Sequence, residues 1–274
     1  ANIIATSTNV SGTFLGTDGN YTHSALIVES GGLYNATNGI TNVTGITTIS
    51  GTFNANSGTL YLGSGISSAT AVLVTGTLNG GSGTHTYGNI MCSGCVWTAT
   101  SGTTYITNRY TGGPVSLSFN GGSATGFSHN NGTINIINSL GNAYIGYTSS
   151  STLTFYNLII NSINRRIYCL AGATQTWIIA NNLTVASGTF DTAEAGWANV
   201  NLNVTGITNI TGTLTTNIGS HTLNGATTIN NGGTLGGNTA WTLNAGNVTV
   251  GGTFIGGTGT DTLSSLTVNS GGLY

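Results

Sequence analysis

Residues Gly12 to Tyr34 read GTFLGTDGNYTHSALIVESGGLY, and Gly252 to Tyr274 read GTFIGGTGTDTLSSLTVNSGGLY. The two stretches align without a gap and are identical at 14 of 23 positions. A self-match at a fixed offset is the mark of a repeat architecture, in which each repeat contacts its neighbours. A shorter unit recurs between the two copies: an apolar residue, a spacer, then Gly-Thr and Phe or Leu. It stands at Val10–Phe14, Ile49–Phe53, Val74–Leu78, Val185–Phe190, Ile210–Leu214, Ile229–Leu235 and Val250–Phe254. Apolar pairs precede it, as in Val72/Val74, Leu183/Val185, Leu202/Val204 and Val248/Val250. Period two puts such side chains on one face of a strand. The Gly step then predicts a turn, because glycine accepts positive φ.

The glycines of this unit fall at 12, 51, 76, 188, 212, 233 and 252, and the shorter intervals between them are 19 to 25 residues. That spacing, with one or more short strands per period, lies in the solenoid range. The expected fold is all-β: a β-solenoid of roughly eleven rungs of about 20–25 residues. Residues 1–274 read as one solenoid domain, with regular rungs over 1–90 and 181–274. The middle, 91–180, is irregular or carries an insertion: it holds Cys92, Cys95, Cys169, Arg109, Arg165, Arg166, Pro114 and Met91. Thr133–Asn138 and Leu153–Ile160 still read as strands, so the solenoid is expected to continue through it. Thr192–Ala198 is the best helix candidate, but it is short and contains a glycine, and it reads as a loop.

Charged residues make up 3% of the 274, with no lysine, 45 glycines and a net charge of −2. Three cations give no basic patch for phosphates, so nucleic-acid binding is not expected. No apolar run approaches the ~20 residues of a membrane helix, so no membrane insertion is expected either. A 38% apolar share supplies the residues to bury that disordered chains lack. The chain starts at Ala1, which reads as a mature secreted chain after signal-peptide removal.

The recurring L-x-V-x-x-G-x-L pattern, with its Asn-Gly turns and Gly-Thr pairs, resembles the passenger repeats of autotransporters and filamentous haemagglutinin-like adhesins. The resemblance implies an extracellular right-handed β-helix at a microbial surface.

Signals for chemistry are weak. Glycoside hydrolysis needs two carboxylates about 5 to 10 Å apart. Asp191 and Glu194 are the close pair in sequence, and they share one loop. Three arginines and no lysine supply little for lyase chemistry. His23, His85, His129 and His221 stand singly in polar, Gly-rich surroundings without ligand spacing. They read as exposed turn residues, and His23 occupies the position of Leu263 in the second copy. No catalytic residue, metal site or cofactor is expected, and the chain does not read as an enzyme. Cys92-Ser-Gly-Cys95 lacks the helix setting of a redox CxxC, so a structural disulfide is expected, either 92–95 or one of these with Cys169. The sequons are Asn9, Asn20, Asn35, Asn42, Asn131, Asn182, Asn203, Asn209 and Asn247. This composition yields about nine or ten by chance, so they are available acceptors and no more. The pairs Thr84/Thr86, Thr98/Thr100, Thr152/Thr154, Thr213/Thr215 and Thr258/Thr260 raise ice binding, but they do not recur at one rung position.

A solenoid has two open ends, each a set of unpaired strand edges, which monomers protect with charge, proline, bulges or a cap. Residues 1–34 and 252–274 carry little charge and no obvious cap, and they share a sequence. The expected function is a structural subunit of an extracellular filament or matrix, polymerising head to tail with itself. Ile3, Ile4, Phe14, Leu33, Tyr34, Phe254, Leu266, Val268, Leu273 and Tyr274 are the expected contact. The alternative is a fragment of a longer cell-surface solenoid adhesin that binds glycan or a host surface through residues 91–180. A polysaccharide-acting or ice-binding solenoid comes third.

Overall fold

The computed structural model describes residues 2–63, 66, 69–108, 115–120, 126–147, 152–171, 173–193, 198–237 and 240–274. Arg109, Pro114, Glu194 and most of the Thr192–Ala198 loop lie outside the described residues. No α-helix occurs among the described residues, and the paired strands run parallel to one another. The fold is a β-solenoid. Within it the chain divides into two compact units, Ala1–Leu140 and Gly141–Tyr274.

The first unit contains six complete turns of three short strands each. The first strands, Asn2–Ala5, Asn20–His23, Ile40–Val43, Thr59–Leu62, His85–Tyr87 and Thr103–Ile106, stack in that order. The second strands begin with Thr8–Val10, Leu26–Val28 and Thr47–Ile49, and the third with Thr13–Leu15, Leu33–Asn35 and Thr52–Asn54. Successive first strands, with Thr133–Ile136 as the seventh, start 18 to 30 residues apart, so the turns vary more than the expected 20–25. The second unit contains five complete turns. Here some strands run round a corner: Leu183–Asp191 pairs with Thr208–Ile210 through its first part and with Thr213–Thr215 through its last. Thr262–Val268 adds a further partial turn, bridged from Leu273 to Thr253.

Alternation fixes the register. Each strand turns every second side chain inward, and the inward residues stack on their counterparts in the next turn. Val10, Val28, Ile49, Val74 and Cys92 form one such buried file. Phe190, Leu214, Leu235 and Phe254 form another in the second unit. Each buried Leu, Ile or Phe contributes about 1.5–3 kcal/mol, and a one-residue slip would expose a whole file, so the register is strongly specified.

The recurring glycines work differently from the expectation. Of the seven, Gly188 alone has positive φ, at 72°. The others serve close approach between turns. A Cβ on Gly51, Gly76, Gly212, Gly233 or Gly252 would come closer than 3.0 Å to a backbone carbonyl of the preceding turn. On Gly12 a Cβ would meet nothing within 4 Å, because no described strand lies beneath it.

Candidate functional site

The chain's self-match becomes a geometric match between the first turn of the first unit and the last turn of the second. Phe14 stacks on Tyr34 at 4.6 Å between ring centroids, and Tyr34 stacks on Phe53 at 4.8 Å. In the second copy Phe254 contacts Tyr274 at 5.2 Å. The backbone repeats the relation: Leu33 N donates to Gly12 O and Leu273 N to Gly252 O, both at 2.8 Å. Tyr34 is thus enclosed between two rings, while its counterpart Tyr274 is 69% exposed. Exposure continues along both outer edges. Ile4 is 86% and Leu15 67% exposed on the first turn, and Leu266, Val268 and Leu273 are exposed on the last.

The contact expected from sequence is therefore narrower than the ten residues named. Tyr34 and Phe254 are buried, each already covered by rings of neighbouring turns. Leu33 belongs to a strand paired on both sides, to Thr13 and to Thr52. Ile3, Ile4, Leu266, Val268, Leu273 and Tyr274 remain exposed, and Phe14 is half-buried.

Three histidines are not turn residues. His23, His85 and His221 lie in strands with their rings in the core. His23 lies 2.7 Å from the Thr8 hydroxyl and 3.0 Å from that of Tyr34. His85 Nδ1 is 2.9 Å from the Tyr87 hydroxyl, and its Nε2 is buried without a partner. His221 Nδ1 accepts from Leu202 N at 3.3 Å. Burial lowers the pKa of His23, and lowers His85 and His221 to about 4, so these rings are neutral at pH 7. Their signal in the sequence was the alternation Tyr21/His23, His85/Tyr87 and His221/Leu223, which outweighs their Gly-rich surroundings. His129 precedes a turn closed by Gly132 N donating to its carbonyl, but it is half-buried rather than exposed.

One polar cluster is internal to the second unit. Asp191 is fully buried beneath Arg166, which donates from Nη2 to its Oδ2. Asn217 Nδ2 and Ala193 N donate to Asp191 Oδ1. Burial raises the Asp191 pKa, with these donors and the guanidinium pulling it back. Burial also acts to lower Arg166, but the hydrogen bond and charge of Asp191 more than offset this and hold the guanidinium more firmly protonated. The Arg166 Cζ lies 4.6 Å over the Tyr168 ring, which orients the group further. Asp191 is therefore not half of an open carboxylate pair: both of its oxygens are taken up inside the protein.

Cys92 and Cys95 are joined in a disulfide across a Cα separation of 5.3 Å, and Cys169 is a buried thiol. Burial holds that thiol protonated. Among the described residues no group of His, Cys, Asp and Glu could hold a metal ion. Of the sequon asparagines, Asn9, Asn20, Asn131 and Asn247 are exposed. Asn35, Asn42, Asn182, Asn203 and Asn209 are half-buried on strand faces or corners. The Thr-x-Thr pairs do not align as such, but single threonines do: Thr189, Thr213, Thr234 and Thr253 pair in register over four turns.

Comparison with family models, with curated proteins and with solved structures found no match for this chain.

Proposed function

We propose that the chain is a structural subunit of an extracellular filament or matrix, joined head to tail by strand addition at its outermost turns. The occupant of each open end is a second copy of the same chain. The observation that supports this reading is the likeness of the first and last turns: Phe14 on Tyr34 and Phe254 on Tyr274, with Leu33 N on Gly12 O and Leu273 N on Gly252 O. Tyr274 has Phe254 on one side, as Tyr34 has Phe14, and Tyr34 has Phe53 on the other. Phe14, in the unit Val10-Ser-Gly-Thr-Phe14, has the sequence context of Phe53, in Ile49-Ser-Gly-Thr-Phe53. Phe14 of one copy set against Tyr274 of another reproduces the internal Tyr34–Phe53 step.

Gly12 supports the same reading. At equivalent positions glycine is needed because a carbonyl of the preceding turn lies against it. Among the described residues Gly12 has no such neighbour, and Gly272 of another copy, the counterpart of Gly32, would supply one. Low net charge reduces repulsion between subunits, and exposed uncharged edges favour strand addition. The disulfide at Cys92–Cys95 suits an oxidising, extracytoplasmic setting.

Sedimentation velocity over a dilution series tests this. The unaltered chain is expected to grow in size with concentration. Gly12→Leu is expected to remain a single subunit with an unchanged melting temperature, since a side chain there meets nothing within the subunit. Assembly that proceeds equally in Gly12→Leu, or no assembly of the unaltered chain at any concentration, contradicts the proposal.

A further inference from the structure

One face of the first unit carries a repeated aromatic pattern. The strands Thr59–Leu62, His85–Tyr87 and Thr103–Ile106 stack in that order, with Tyr61 paired to Thr86 and Thr86 to Tyr105. Leu60, Leu62, Thr104 and Ile106 turn inward and are buried. By alternation Tyr61 and Tyr105 stand outward in one file, with Thr86 between them. Tyr61 is 39% exposed and Tyr105 half-buried. Each tyrosine follows a partly exposed threonine two residues back on the same face: Thr59 before Tyr61, and Thr103 before Tyr105. The unit Thr-x-Tyr therefore occurs twice, two turns apart. Two inter-strand steps at about 4.8 Å set the rings roughly 10 Å apart along the solenoid axis. Asn42 continues the file one turn before Tyr61.

Side-chain chemistry sets the ligand class. A tyrosine ring offers a flat apolar face with partial negative charge, which suits the C–H face of a pyranose. The hydroxyls of Thr59, Thr86 and Thr103 and the amide of Asn42 suit the hydroxyls of a sugar. None of these residues is charged, so the complementary polymer is neutral. Spacing narrows the class further. In an extended, equatorially linked chain alternate sugars present the same face, and a disaccharide advances by about the distance of two turns. Rings on every second turn then meet alternate sugars alike, with Thr86 opposite the sugar between. An axially linked chain coils and loses that register.

We infer that this face binds a neutral, extended β-linked polysaccharide of the cellulose or chitin type, laid along the solenoid axis with alternate sugars on Tyr61 and Tyr105. The site lies within the first unit and stands whether or not copies join end to end.

Isothermal titration calorimetry on the full chain tests the inference with three probes: cellohexaose, chitohexaose and the axially linked maltohexaose. Binding of either of the first two supports it, and the tighter of them distinguishes the cellulose type from the chitin type. Tyr61→Thr and Tyr105→Thr each remove one ring and install the residue that already holds the middle place of the file at Thr86. Each is expected to weaken binding about fivefold, as for loss of one aromatic contact, while the melting temperature holds. Tyr61→Phe keeps the ring and is expected to keep the affinity. Three results would each overturn the inference: no binding of either equatorially linked probe, equal binding of maltohexaose, or affinity unmoved by both threonine substitutions.

Discussion

A glycine that has no room for a Cβ and a glycine that has room look alike in a sequence, and their substitution separates them. Gly76→Ala or Gly252→Ala drives a methyl into a carbonyl of the preceding turn and should cost about 1–3 kcal/mol, the usual range for overpacking. Gly12→Ala should leave the subunit's stability within about 0.5 kcal/mol, as for a surface change. Urea denaturation of the three variants checks the contrast, and equal losses at 12 and 76 would contradict the close-approach account. The buried histidines give a second residue-scale expectation. Their folded pKa is depressed, so between pH 6.5 and about 4 the unfolded chain binds protons that the folded chain does not. Stability is therefore full above pH 6.5 and falls as pH drops through that window, by about 3 kcal/mol each for His85 and His221 at pH 4. His85→Leu and His221→Leu should each make the pH dependence of the urea midpoint shallower. An unchanged slope in both would show that other groups carry the acid lability. The glycine and threonine neighbours of these histidines suggest turns. The deciding feature was the two-residue spacing to a core residue.

At the scale of the strand, stability comes from files of like residues in register. The third strands of the first unit show this on their outer side as well as their inner one. Asn54 Nδ2 donates to Asn35 Oδ1 at 2.6 Å, and Asn79 Nδ2 donates to Asn54 Oδ1 at 2.8 Å. Asn54→Ala removes both bonds and should cost about 1–2 kcal/mol. Asn35→Ala, which removes one, should cost about half as much, and a reversed order would contradict the ladder. Strand positions were legible because the Val-x-Val and Gly-Thr-Phe patterns alternate with period two. Turn lengths were not, because loops between strands can lengthen without disturbing the stacked register. Successive first strands start 30 residues apart at Thr103 and Thr133, but 18 apart at Asn2 and Asn20.

For the molecule as a whole, the repeat announced a solenoid, and the count of about eleven turns followed from the spacing of the glycine unit. The division at 140/141 was not visible, because it falls inside 91–180, where that unit is absent and compositional reading has no period to follow. The tyrosine face was equally hidden. Tyr61 and Tyr105 are distant in sequence and join one file only through turn-on-turn stacking. The likeness of the first and last turns, in contrast, was readable as a self-match, and the structure repeats it in the Phe14–Tyr34 and Phe254–Tyr274 ring contacts. Electron microscopy and fibre diffraction of the unaltered chain at micromolar concentration test the central claim most directly. The account predicts long unbranched fibres with a meridional reflection near 4.8 Å, from strands stacked across the junction as they are within the subunit. Isolated particles at every concentration, or fibres without that reflection, would contradict it.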